Sequence, residues 1–423
     1  MRFDQSNNEC SRIKQKRVLE VFEKRVYNFY YFRLTDVIGN TQPLQKTTTT
    51  TVTKITLSFS NIIIFGCQTQ IQRRMYDDII YVTLLLVSIL WGKVTRSVSE
   101  TRARKWTSSF FGLFLVGLVS GYSSLHPLFS VALHTCLVKL SPRRLVHWVN
   151  FVFGFAHLFV FRSAILDSPP AHTNAIQMIM TLKLMGLAFE IHDDHGLNPN
   201  CEDIFHYAFA HSGILTGPYY RFRTFQDLYE APYALKADCE TLMLQRIIRV
   251  PFYLVLFLVS GYFFPISAVL DETFYESTSL WWRLFYMTPV FFNFRMRLYI
   301  GFILSECSCI MAGLGAYPCK TEPKPGQGPS KPITEEEFES DMEINFETIH
   351  NIDEFKTESV TTMRDALKTW NMTVQWWLAA NVYRRFPGYP RVFRAFVVMM
   401  VSSVWHGKFL RKKNRENTTV DLT

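Results

Sequence analysis

The chain has 423 residues and a formal net charge of +9; 48% of its residues are hydrophobic, 15% aromatic and only 19% charged. Soluble proteins of ordinary composition carry closer to a quarter charged residues, and here the hydrophobic residues are blocked into runs rather than spread at helical or strand period. An ordinary soluble enzyme is therefore excluded. Basic charge without a recognition-helix or zinc-finger pattern also argues against a nucleic-acid partner.

Residues 1–76 are basic and patchy. The run Thr47–Thr51 is of low complexity, and the apolar piece Ile62–Phe65 is too short to span a bilayer. The segment lacks the charged, apolar and small order of a secretion signal, so it reads as an N-terminal extension of unknown role. From residue 77 onward apolar blocks follow one another. A hydrocarbon core of ~30 Å calls for about 20 helical residues. The runs predict helices over Asp78–Trp91, Ser109–Tyr122, Leu125–Leu140, Leu145–Phe161, Ala175–Glu190, Ile204–Leu215, Val250–Leu270, Trp282–Ala316, Trp370–Tyr383 and Val392–Trp405.

Several of these are short for a full span, which points to tilted, re-entrant or partly protein-buried helices. Lipid cannot satisfy an open backbone, so the expected fold class is all-α, a polytopic transmembrane bundle. Gly117 and Gly121 stand at the GxxxG spacing that lets helices approach, a pattern also common by chance. Residues 318–348 contain Pro323, Pro325, Pro329 and Pro332 and the acidic run Glu335–Glu337. They read as a solvated, flexible loop. Ile349–Leu367 reads as an interfacial helix. The membrane domain is thus 77–407, followed by a basic, polar tail, 408–423. Clusters such as Arg102, Arg104 and Lys105 suit a cytoplasmic membrane face.

Eight scattered cysteines show neither zinc-site nor disulfide-scaffold spacing; Cys307 and Cys309 read as packing, and no metal is implied. Polar groups inside apolar segments are expensive and are functional candidates by default. His406, in Val401-Ser-Ser-Val-Trp-His406-Gly407, is one, because neutral imidazole can take a proton from a hydroxyl. Asn371, in Trp370-Asn-Met-Thr-Val-Gln-Trp-Trp-Leu378, is another, because a carboxamide can donate to developing negative charge. On residues alone the plainer readings, an interfacial anchor and a glycosylation sequon discounted by its flanking tryptophans, keep the catalytic reading weak. Neither a GxSxG elbow, an HExxH nor a P-loop is present, and no histidine starts a His-x4-Asp pattern.

The Trp370–Leu378 motif followed by Trp405-His406-Gly407 resembles the active-site pair of the membrane-bound O-acyltransferases, and within them the lysophosphatidylinositol acyltransferases. The segments Gly213–Thr224, Phe285–Arg297, Glu306–Pro318 and Glu347–Asp353 extend the resemblance, which runs from about residue 77 to Gly407. It implies transfer of a polyunsaturated, arachidonoyl-type acyl group from acyl-CoA to the sn-2 hydroxyl of a lysophospholipid, lysophosphatidylinositol first, in the endoplasmic reticulum. There His406 would act as base and Asn371 would orient or stabilise the reacting groups, in a tunnel open to cytosol and bilayer. No permanently bound cofactor is implied; acyl-CoA is a co-substrate. Arg221, Arg223, Arg295 and Arg297 are candidates for CoA phosphates or a lipid head group, with snorkelling to lipid phosphate as the plainer alternative. Family members continue through further helices after the histidine, whereas 17 residues (423 − 406) follow it here, so the C-terminus reads as truncated. An acyltransferase for another lysophospholipid and a non-catalytic membrane protein stay open.

Overall fold

The computed structural model describes residues 77–162, 171–231, 233–332 and 343–407. The extension 1–76, the run Glu335–Glu337 and the tail 408–423 lie outside them. Helix α1 (Asp77–Ser97) is followed by α2 (Thr101–Ser120) and α3 (Leu125–Leu140), joined by one 3-10 turn, then α4 (Val146–Arg162) and α5 (Ala171–Asp193). Next come α6 (Cys201–Phe209), α7 (Phe222–Glu230), α8 (Cys239–Ile247), α9 (Val250–Phe263) and the 33-residue α10 (Leu280–Ala312). After an antiparallel strand pair, Tyr317–Pro318 with Ile344–Asn345, lie α11 (Glu354–Ser359), α12 (Met363–Thr369), α13 (Met372–Asn381) and α14 (Arg391–Trp405). The fold is helical, as the sequence predicts.

Among the described residues, four helical stretches are long and apolar enough to cross a membrane, and hydropathy and burial run in opposite directions among them. Cys239–Phe263 has the highest mean hydropathy, 1.8, with 6% of its span buried; Ala171–Asp193 has the lowest, 1.2, with 89% buried. An outer helix meets lipid and needs only apolar side chains. A central one can carry polar groups because neighbouring helices pair them. Helix α5 is that central element. Asn174, Gln177, Lys183 and Glu190 are all buried within it.

Several expected boundaries move for local reasons. Ile204–Leu215 is not one helix: α6 ends at Phe209, and a buried irregular segment follows, with Gly213 and Gly217 at φ 75° and 95°. Val250–Leu270 breaks after Phe263, where Pro265 starts the short helix Ile266–Leu270. Helix α10 stops at Ala312 because Gly313, at φ 80°, takes the left-handed cap. Among the described residues nothing lies within 4 Å of a Cβ placed at Gly117 or Gly121; the close approach is at Gly112, where a Cβ would stand 1.8 Å from the Phe209 carbonyl oxygen.

Two readings are corrected. The loop is in part packed rather than solvated throughout: within 318–332, Thr321, Pro323, Gly326 and Gly328 are buried while Lys320, Glu322, Lys324 and Lys331 face solvent. Ile349–Leu367 is not one interfacial helix but a buried turn, with Ile349, Asn351 and Ile352 at 1% exposure or less, followed by α11 and the start of α12.

Candidate active site

Helix α5 supports the helices that carry the two catalytic candidates. The Trp377 indole N–H of α13 donates to the Leu182 carbonyl at 3.1 Å, and the Trp405 indole N–H of α14 donates to the Met178 carbonyl at 3.2 Å. Those carbonyls are four residues apart, about one turn or 6 Å along α5. The helices carrying Asn371 and His406 therefore dock side by side on one support. The end of α14 has a second tie. Arg162 Nη1 donates to the carbonyls of Trp405 at 2.6 Å and Val404 at 3.2 Å, while its Nε donates to Asn174 Oδ1 at 2.6 Å. His406 follows at the helix end, exposed, with its ring 4.7 Å from that of Trp405. Asn371 is half-buried before α13, and its side chain does not cap the helix.

One turn further along α5, Gly186 gives room to the Tyr219 hydroxyl. Lys183 Nζ donates to the Tyr220 hydroxyl at 2.8 Å, and Glu190 accepts the Phe222 backbone N–H at 2.9 Å. Glu190 also pairs with Arg221 at 3.3 Å. The segment 213–223 is thereby laid along the same helix. Its Arg221 stands over the Trp376 ring, 5.9 Å from the centroid.

Arg221 and Arg223 line an open cleft of about 540 Å³ together with Thr224, Asp227, Tyr317 and Lys331. The packed loop forms its opposite wall. Gln327 Oε1 accepts from the Trp376 indole at 3.2 Å, and Gly326 lies so close that a Cβ there would meet the Thr373 carbonyl oxygen at 2.9 Å. The other two arginines are engaged elsewhere. Arg295 makes a bidentate pair with Glu358 at 2.7 and 2.8 Å, and Arg297 pairs with Asp78. Arg221 and Arg223 carry carboxylate partners too, Glu190 and, at 3.1 Å, Asp227, but they share a cleft beside α13, while the second pair ties helices together.

Sequence reasoning passed over the buried charges behind the site. Glu306 and Glu354 are each 1% exposed, and Arg246 bridges them at 2.6 and 2.8 Å. Glu306 Oε1 also accepts the backbone N–H of Asn351 at 2.8 Å. The signal was present: Arg162, Lys183, Glu190 and Glu306 are ionisable residues inside apolar runs, the same criterion that singled out His406.

A model of the membrane-bound O-acyltransferases matches residues 27–410. The chain belongs to the membrane-bound O-acyltransferase family. The match begins inside the segment read as an extension. The membrane-bound acylglycerophosphatidylinositol O-acyltransferase frj of Drosophila melanogaster is 37% identical over 366 residues, covering 78% of this chain and 74% of that protein. The MBOAT7 protein of Homo sapiens, with the same descriptive name, is 35% identical over 353 residues, covering 77% and 74%. The mboa-7 protein of Caenorhabditis elegans is 28% identical over 349 residues. Membership makes the chain a helical membrane O-acyltransferase.

Proposed function

We propose that this membrane-bound O-acyltransferase moves an acyl group from acyl-CoA to the sn-2 hydroxyl of a lysophospholipid, lysophosphatidylinositol first. The observation that carries the reading is the common docking of α13 and α14 on α5, through indole bonds one turn apart. The names of its relatives, acylglycerophosphatidylinositol O-acyltransferases, supply the acceptor.

In this reading His406 takes the proton of the sn-2 hydroxyl as that oxygen attacks the thioester carbonyl. The Asn371 carboxamide donates a hydrogen bond to the oxygen on which charge develops, a contact worth a few kcal/mol where water is excluded. The C–S bond then breaks, and the CoA thiolate leaves and recovers the proton from His406. A thioester is already a good acyl donor, so one base and correct placement suffice. The cleft of Arg221 and Arg223 is suited to phosphate oxygens, since guanidinium donors match them in pairs. An arachidonoyl preference and a place in the endoplasmic reticulum membrane belong to the same proposal.

The test is acyl transfer in membranes expressing the chain, with labelled arachidonoyl-CoA and either lysophosphatidylinositol or lysophosphatidylcholine. Transfer to the inositol lipid that His406→Ala abolishes is expected. Preference for the choline lipid would redirect the acceptor. Lack of product from well-expressed wild type with either lipid would overturn the proposed reaction.

A further inference from the structure

Asn371 adopts a left-handed backbone, φ 47° and ψ 51°. That conformation is unfavourable for an L-residue, and asparagine tolerates it better than most. It persists only where surrounding contacts over-determine it. Those contacts are specific. Two residues earlier, the Thr369 carbonyl accepts the Asp353 N–H at 3.0 Å; one residue later, the Met372 N–H donates to the Asn351 carbonyl at 2.7 Å. One residue further, Thr373 Oγ1 donates to Asn351 Oδ1 at 2.6 Å. The turn at Asn371 is therefore clamped on both sides by one short segment, 351–353.

The clamp is itself anchored. Glu306 Oε1 accepts the N–H groups of Asn351 at 2.8 Å and Ile352 at 3.2 Å, and Arg246 holds the other oxygen of Glu306 at 2.6 Å. Asn351 is 1% exposed and Thr373 0%, so water is no ready substitute for these bonds. Thr373 also faces the opposite way: its hydroxyl oxygen accepts the Tyr219 N–H at 3.1 Å, two residues before Arg221. One hydroxyl thus registers the Asn371 turn against the loop that carries the cleft arginines.

We propose that Thr373 and Asn351 are positioning residues that aim the Asn371 carboxamide at the reacting carbonyl, an inference that rests on the reading of Asn371 as the oxyanion donor. Both side chains are buried and bonded to protein groups. Their effect is on how well a donor is placed when charge develops, so they govern kcat rather than KM.

The experiment compares Thr373→Val, Thr373→Ser, Asn351→Ala and Asn371→Gly in the full chain in membranes, with rates normalised to folded protein by size-exclusion fluorescence. Thr373→Val keeps the shape and loses the hydroxyl; Asn351→Ala keeps the backbone bonds and loses only the acceptor, so it serves if the valine variant does not fold. Both are expected to lower kcat on the order of tenfold or more, as small misplacements do. The KM values for acyl-CoA and lysolipid should stay within about twofold in Asn351→Ala, which leaves the Thr373–Tyr219 bond in place. Thr373→Ser is expected to restore the rate. Adding Thr373→Val to Asn371→Gly should lower the residual rate no further, because residues acting through one another are non-additive. Wild-type kcat in the folded valine and alanine variants beside a defective Asn371→Gly, or a further multiplicative loss in the double variant, overturns the positioning role. Unimpaired transfer by Asn371→Gly instead removes the oxyanion reading beneath it.

Discussion

At Asn371 the choice of substitution decides what a mutant reports. Alanine removes the carboxamide but also places a methyl side chain in a left-handed turn, at φ 47°. Glycine removes the carboxamide and relaxes the turn. Asn371→Ala is therefore expected to lower the melting midpoint in detergent, by about 1 kcal/mol of stability, while Asn371→Gly leaves it unchanged or higher. Both should lose transfer. Equal midpoints for the two variants would show that the left-handed turn is not held in the folded protein.

This residue was legible as a candidate from the sequence, but its backbone was not. Asn371-Met-Thr373 reads equally well as a sequon or as ordinary helix. Only the bonds from the 351–353 segment force the turn. Arg295 and Arg297 make the converse point. In the sequence they are as good a phosphate pair as Arg221 and Arg223. Folding brings Glu358 and Asp78 to them, partners 63 and 219 residues away.

Among the elements, α10 and α11 are joined through Glu358, which accepts from Arg295 and from the Tyr299 hydroxyl, the latter at 2.6 Å. Partial burial alone would raise this carboxyl, but the hydrogen bonds from Arg295 and Tyr299 and the Arg295 charge outweigh it and hold the group below its ordinary range. A depressed carboxylate stabilises the fold fully above its unfolded value and loses that contribution as pH falls through the folded one. Glu358→Gln should thus lower the melting midpoint at neutral pH by about 2–4 °C, and the gap to wild type should close below the usual carboxylate range. A gap that widens on acidification would contradict this sign. The helices themselves were mostly readable, since Leu125–Leu140 needs only its apolar run. The break after Phe209 was not, because the run continues through Ile214 and Leu215 while Gly213 and Gly217 turn the backbone away.

Across the whole molecule, α5 joins the two halves of the site, and Gly186 is where it can least grow. A Cβ there would stand 2.5 Å from the Tyr219 hydroxyl and 3.1 Å from Trp377 Nε1, and both side chains are buried. Gly186→Ala is expected to cost about 1–3 kcal/mol through overpacking, and to lower transfer by shifting the loop and α13 together. Gly117→Ala has open space around it and should stabilise by roughly 0.5–1 kcal/mol through helix propensity. Thermal scans of the two variants check both signs, and a stable Gly186→Ala would show that the platform yields.

The sequence by itself determined that the chain is a helical membrane protein, and its ordered motifs were enough to expect its family. Apolar runs and absent soluble-enzyme motifs are local properties, and hydrocarbon admits few ways of satisfying a backbone. What only the tertiary structure decided is which polar groups serve each other. Hydropathy ranks α5 as the weakest span, yet it is the most buried, because Glu190 and Lys183 meet partners 31 and 37 residues ahead. A buried charge is stable only beside its partner, and such partners lie far away in the chain, where no local pattern reaches.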